Sequence, residues 1–481
     1  MRHALRAQVR VILLSMTLRP HIAAIRFGLG LRLGEVPPRD PEGWLLEQIA
    51  RPLAPPPGPS SAEALRIVDE PARTRQLRLA LQAPAASEAR RVTQEVARSR
   101  LEAEGMQLPP RAPAGDAATA EPLAVLLRGD ALGWAQHRLT SESPFLDRLA
   151  DFWANHFTVS RRKVTVGGLS GPFEREAIRP FLTGRFADML VAAIRHPAML
   201  LYLDNVDSIG PNSPEGRRSG RGLNENLARE VLELHTLSRT GGYSQEDVQE
   251  LAKILTGWSV RRRGEPHGFL WREETHEPGT KTLLGRRFEE GPESQEAALR
   301  MLAAHPATYR HLALKLARHF VADDPPPGAV AELEETLRRT EGDLGAVHRR
   351  LVTLREAWER PAAKFRTPRD LVLAAGRALG LTQGQPVLSG MGELGQPLWQ
   401  ARQPDGWPDR MEDWSGPEAL MRRADWAYTF AGRLGRVDLL AVSEAALGPL
   451  GRAETRDAMR RAGSVRDALT LLLCSPEFQF R

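Results

Sequence analysis

Cysteine is nearly absent: Cys474 is the only one in 481 residues. With no second thiol the chain can build no internal disulfide, no cysteine-rich zinc site and no iron–sulfur cluster. Cys474 also follows Leu471-Leu472-Leu473, which favours a core residue over a nucleophile. Long apolar runs are missing as well. Nothing approaches the eighteen or so uninterrupted apolar residues of a membrane span, so no transmembrane segment is expected. At the N-terminus Arg2, Arg6 and Arg10 precede Val11-Ile12-Leu13-Leu14, an apolar core too short for a signal peptide. That makes the cytoplasm the default compartment, with export left open. The charge excess is small: 66 Lys and Arg against 60 Asp and Glu, a net +6. Arg261-Arg262-Arg263 is the one tight basic triplet, and no basic run interleaves with aromatics. A nucleic-acid partner is therefore not expected, whereas an anionic substrate stays open. The sequence also lacks a G-x-S-x-G elbow, a Walker loop and an H-E-x-x-H motif.

What is present is an ordinary globular composition, 42% hydrophobic and 26% charged, in a chain long enough to bury a large core. The pattern predicts a mainly α protein: a large multi-helix orthogonal bundle with one short β-hairpin. Two Pro-rich linkers, 51–59 and 105–121, set off an N-terminal helical extension (1–120) from a main helical domain (121–481). The hairpin is expected where Phe269 to Arg272 and Lys281 to Leu284 flank Pro278-Gly279, with His276 and Glu277 at its tip. Residues 208–222, SIGPNSPEGRRSGRG, read as a mobile loop carrying Arg217, Arg218 and Arg221. A Gly/Pro/Trp-rich loop over 382–418 holds Trp399, Trp407 and Trp414, whose rings are read as pins to the core rather than a stacking platform.

The densest cluster of polar side chains at helical spacing is LNENLAREVLELHTLSRTGGYSQEDVQELAKILTGW, Leu223 to Trp258. At 100° per residue, Glu225, Asn226, Arg229, Glu230 and Glu233 share one face. His235 falls in the middle of the opposite, apolar arc. The helix is expected to end by Thr240-Gly241-Gly242, and Ser244 with Asp247 to form a capping box for the next. In the second of a pair of helices expected over 122–157, Phe145, Leu149, Phe152, Trp153 and His156 share a face, which places His156 among aromatics.

These stretches resemble a bacterial family known as domain of unknown function 1800. The resemblance rests on NENLAREVLELHTLSRTGGYSQEDVQELAKILTGW, on Asp151-Phe152-Trp153-Ala154-Asn155-His156-Phe157, on HPAMLLYLDN, on THEPGTKTLLG and on the closing LLLCSPEFQFR, and runs from about Ile22 to the C-terminus. Ser238 stands where the family usually has Gly, and Glu277 where Asp commonly follows the His. The resemblance implies a bacterial protein, and as a partner a second uncharacterised family that looks like the alkaline phosphatase fold. It implies no reaction.

Two catalytic arrangements suit these residues. In one, Glu225 and Glu230 act as acid and base of a hydrolase if a partner helix forms a cleft and separates their pKa values. Asn226 and Arg229 would complete that centre, with Asn224 and Arg221 binding substrate. In the other, His156, His235, His276 and Glu277 converge as the shell of a divalent metal. The alternative to both is a non-catalytic helical binding or assembly protein that acts with the phosphatase-like partner.

Overall fold

The computed structural model describes residues 18–51, 55–69 and 117–481. The helices expected over 61–104 and the second linker (105–121) fall mostly outside that set; where described, 61–69 is helical and 117–121 belongs to a helix rather than to a linker. The chain is mainly α. In order, the elements used below are α1 (Pro41–Ala50), α2 (Ala117–Thr140), α3 (Pro144–His156), α4 (Phe186–Arg195), α5 (Pro197–Tyr202), α6 (Pro214–Ser219), α7 (Asn226–Glu230) and α8 (Gln245–Leu255). Strands β1 (Trp258–Arg261), β2 (Gly268–Trp271), β3 (Lys281–Leu283) and β4 (Arg286–Phe288) follow. Then come α9 (Glu293–Ala303), α10 (Pro306–Phe320), α11 (Pro327–Arg339), α12 (Leu344–Thr353), α13 (Pro368–Ala378), α14 (Gln385–Glu393), α15 (Pro417–Gly432), α16 (Leu439–Ala446), α17 (Ala453–Arg460) and α18 (Val465–Cys474). No helix among the described residues is long and apolar enough to cross a membrane.

Helix starts follow local chemistry. Ser244 and Asp247 form the expected capping box of α8, while Thr367, Asp343 and Ser464 cap α13, α12 and α18 with their side chains. The strands depart from expectation. There are two hairpins: β1 pairs with β2 and β3 with β4, both antiparallel. Leu284 and Gly285, at φ 49° and 75°, make the second turn, the consecutive positive φ values of a type I′ hairpin. The segment around Pro278-Gly279 therefore joins two hairpins, and His276 and Glu277 are buried in the connection rather than displayed at a tip.

Two apolar clusters make up the interior. The first gathers Phe27, Leu45, Phe145, Trp153, Leu232, Leu251, Leu316 and Val347 among others. The second gathers Trp134, Leu139, Leu371, Ala375, Trp426, Phe430 and Leu472. Residues 22–31 thread between them, since Phe27 belongs to one and Leu29 to the other. The seam is charged. Arg138 donates to Asp151 (2.8 Å) and Glu174 (2.6 Å), and Arg179 to Glu174 (2.8 Å) and Asp147 (2.6 Å). Asp370 of α13 takes Arg148 of α3 at 3.1 Å and Arg481 at 3.0 Å. Arg377 donates to the carbonyls of Arg138, Leu139 and Ser141, groups that the end of α2 leaves without helical partners. All of these guanidiniums are buried, so each must be answered within the protein.

Candidate functional site

At the edge of this charged seam, α3, α10, the start of α13 and the segment 396–413 enclose a cavity of about 240 Å³. Asn155 builds one wall by holding the Trp-rich loop. Its Nδ2 donates to the Trp407 carbonyl (2.9 Å), and its Oδ1 accepts from the Trp407 N–H (2.8 Å). Gly406, at φ 85°, lets the loop come this close; a Cβ there would lie 2.6 Å from the Asn155 carbonyl oxygen. Trp414 packs against Trp407 and donates to the Pro408 carbonyl. These two rings pin the loop, as expected of them.

The back of the cavity joins the two motifs singled out in the sequence. His156 Nε2 donates to the His235 carbonyl (3.2 Å), and His235 Nδ1 donates to the His156 carbonyl (3.0 Å). Because a carbonyl can only accept, these contacts fix both tautomers. They leave His156 Nδ1 as an acceptor, and Lys315 donates to it at 3.0 Å. A π-helical turn, Val231–His235, follows α7 and is closed by Thr236 Oγ1 donating to the Val231 carbonyl (2.7 Å). The helix thus ends at His235, with its carbonyl free for His156. Burial and the nearby Lys315 keep both imidazoles uncharged, His235 down to about 3 and His156 well below its ordinary value.

Lys315 is the unusual group. Among the described residues its one hydrogen-bond partner is a neutral imidazole, and no carboxylate pairs with it. Burial pushes its pKa down to about 8, with Asp409 and Asp405 acting in the opposite direction. One turn further along α10, His319 donates from Nδ1 to Asp409 at 2.8 Å. Burial holds His319 at about 4, hence neutral, and its Nε2 is sealed from solvent without a partner among the described residues. Asp409 also receives Lys364 through its backbone carbonyl, so His319 and Asp409 serve as a wall. Arg318, Arg369 and Arg410 complete the cationic lining.

The residues proposed from the sequence fall elsewhere. Glu225 is bound by Arg229 and Gln245, both at 2.8 Å, and these hydrogen bonds, Gln245's foremost, lower its pKa. Glu230 is raised by burial and then by Glu233, with the cavity residue Asp405 adding to this. The two carboxylates thus shift apart, yet neither lines the cavity. Asn224 Oδ1 accepts the Asn226 N–H (3.0 Å) at the helix start, and Arg221, exposed, pairs with Asp207 (3.2 Å). His276 Nδ1 donates to the Thr256 carbonyl (2.9 Å), and its Nε2 accepts from Lys281 (3.2 Å). Glu277 accepts from the backbone and side chain of Asn212 (2.9 and 2.6 Å). That contact and the cap of α6 by Ser213 give order to the loop read as mobile. His156 and His235 meet, but no group of three or more His, Cys, Asp or Glu among the described residues is placed to hold a metal.

Comparison with known proteins adds one finding. A family model described as a protein of unknown function (DUF1800) matches residues 22–480, almost the entire chain. The chain belongs to this family. No curated protein and no solved structure matches it. Lys315, His319, Arg369 and Asp409 had not been singled out in this DUF1800 member. One local signal was there: His311, Lys315 and His319 recur every four residues, a polar stripe along one side of α10.

Proposed function

We propose that this DUF1800 protein is an enzyme, a hydrolase of a small polar ester, with Lys315 as its acid–base group. The observation that supports this reading is a lysine ammonium set in a cavity wall, bonded only to a neutral imidazole and brought to about 8. A base works best when its pKa lies near the working pH, and burial is how proteins bring lysine there. His156 accepts one N–H and so aims the amine lone pair. In the reaction the neutral Lys315 amine takes a proton from water, and the water oxygen bonds to the ester centre. The bond to the leaving oxygen breaks, and that oxygen receives the same proton from Lys315. The test is a panel of p-nitrophenyl acetate, phosphate and sulfate. Hydrolysis of one should rise with pH through about 8 and fall by about a hundredfold or more in Lys315→Met and Lys315→Arg. Turnover that survives Lys315→Arg with an unchanged pH profile would sink the assignment, as would no turnover of any ester.

A second reading, a binding or assembly protein working with the phosphatase-like partner, draws on Leu420, Met421, Tyr428 and Leu440, which are exposed on α15 and α16. A stable complex formed equally by wild type and Lys315→Met, with neither hydrolysing an ester, would favour it.

A further inference from the structure

The cavity walls carry more positive charge than the fold uses. Arg318 donates through Nε to the Asp323 carbonyl (3.2 Å) and forms no ion pair among the described residues. Arg369 meets Asp151 only at 3.8 Å, and its Nε, sealed from solvent, has no hydrogen-bond partner among the described residues. Its backbone N–H is taken by Gln396 Oε1 (2.8 Å), which fixes the start of α13 against the cavity. Arg410 stands at the rim, where Asp324 (3.3 Å) and Glu412 (3.6 Å) share it. Of the acidic lining residues, Asp409 is already committed to His319, while Asp405 and Asp413 are exposed. Elsewhere in the seam Arg138, Arg148 and Arg179 each reach a carboxylate and Arg377 several carbonyls, while Arg366 lies over the Phe478 ring. Arg318 and Arg369 are weakly answered guanidiniums that line the cavity. A partly desolvated guanidinium answered only by one carbonyl, as Arg318 is, or by a carboxylate as far off as 3.8 Å, as Arg369 is, gains when a ligand supplies negative charge, and the planar forks match the oxygens of an oxyanion.

We propose that the cavity binds a tetrahedral oxyanion, with Arg318 and Arg369 as its clamp and Arg410 closing over it, so that the substrate is a small phosphate or sulfate ester. This deepens the hydrolase reading and rests on it for turnover, but the anion site itself is tested by binding alone. Several cations converging on a cavity of this size suit a group with oxygens on three sides better than a flat carboxylate. Trp407 in the wall is the reporter.

Titration of the full-length protein with inorganic phosphate and sulfate, followed by tryptophan fluorescence and calorimetry, should show saturable one-to-one binding at about 1 mM or tighter. Acetate should bind at least tenfold more weakly. Arg318→Met and Arg369→Met should each weaken the oxyanion about tenfold, with Arg369→Lys in between. Lys315→Met should abolish ester turnover and, by removing one lining cation, weaken the anion no more than either arginine variant does. Binding that is absent, equal for acetate, or unaffected by both arginine variants overturns the oxyanion site and leaves the Lys315 chemistry standing. Anion binding together with turnover that ignores Lys315 refutes the hydrolase assignment instead. Circular dichroism of each variant separates a lost site from a lost fold.

Discussion

Asn155→Ala removes both hydrogen bonds that hold the Trp407 segment, without touching the apolar face of α3. Each such bond contributes about 0.5–1.5 kcal/mol net, so the pair is worth about 2 kcal/mol. That corresponds to about a thirtyfold change in the equilibrium for local opening of the segment. Native-state amide exchange followed by mass spectrometry should therefore show peptides spanning 403–410 losing about thirtyfold protection. Peptides from α3 and α10 should change little, because their stability comes from burial. Gly406→Ala should reproduce the effect by another route, since its Cβ would meet Asn155 and Thr158 at 2.6–2.7 Å. Asn155→Asp keeps the acceptor for the Trp407 N–H but sets a carboxylate against the Trp407 carbonyl, and should be no better than Ala. Unchanged protection over 403–410 in both Asn155→Ala and Gly406→Ala would show that the loop is held by its rings alone and that the clamp argument is wrong.

Ser238 sits at φ 69°, where a side chain costs about 1 kcal/mol, so Ser238→Gly should raise stability by about that amount in chemical denaturation. Asp370→Asn leaves the buried Arg148 and Arg481 without their carboxylate and should cost about 3–5 kcal/mol in the same assay. Burial alone would raise the Asp370 and Asp147 carboxyls, but Arg148 and Arg481 on one side and Arg179 on the other outweigh it and hold both far below the usual range. Their folded values lie under their unfolded ones. The stability they contribute is therefore complete above about pH 4 and is lost as pH falls further. Acid titration followed by circular dichroism should show no loss from these groups near neutrality and a steep one below that point.

Much of this fold was legible locally. The 3.6-residue rhythm placed His156 and His235 on core faces, and Ser244 with Asp247 announced a helix start. The strands near 269–272 and 281–284 were legible but their pairing was not: each joins a different partner, and the turn of the second hairpin was missed because Leu284 is not a usual turn residue, although Gly285 beside it is. The carboxylate face of α7 was legible as a face, and the Glu225–Arg229 pair from its i,i+4 spacing, but the contact from Gln245 of the next helix was not. The cavity could not be seen at all from spacing. It draws on positions near 155, 315, 369 and 407, which only tertiary packing brings together. Single stretches of chain carry only fragments of it, such as the four-residue stripe of α10, Asn155 with His156, and the loop around Trp407.

The ionic layer between the two apolar clusters bears on how the molecule can assemble. Neither half can close alone, because Arg148 needs a carboxylate from α13, and the carbonyls at the end of α2 need Arg377. A fragment ending near residue 360 would have to keep such groups hydrated, and its interior open to water. Unfolding should accordingly be all-or-none across both clusters despite their separate hydrophobic interiors, and the two pieces, expressed apart, should become ordered only when mixed.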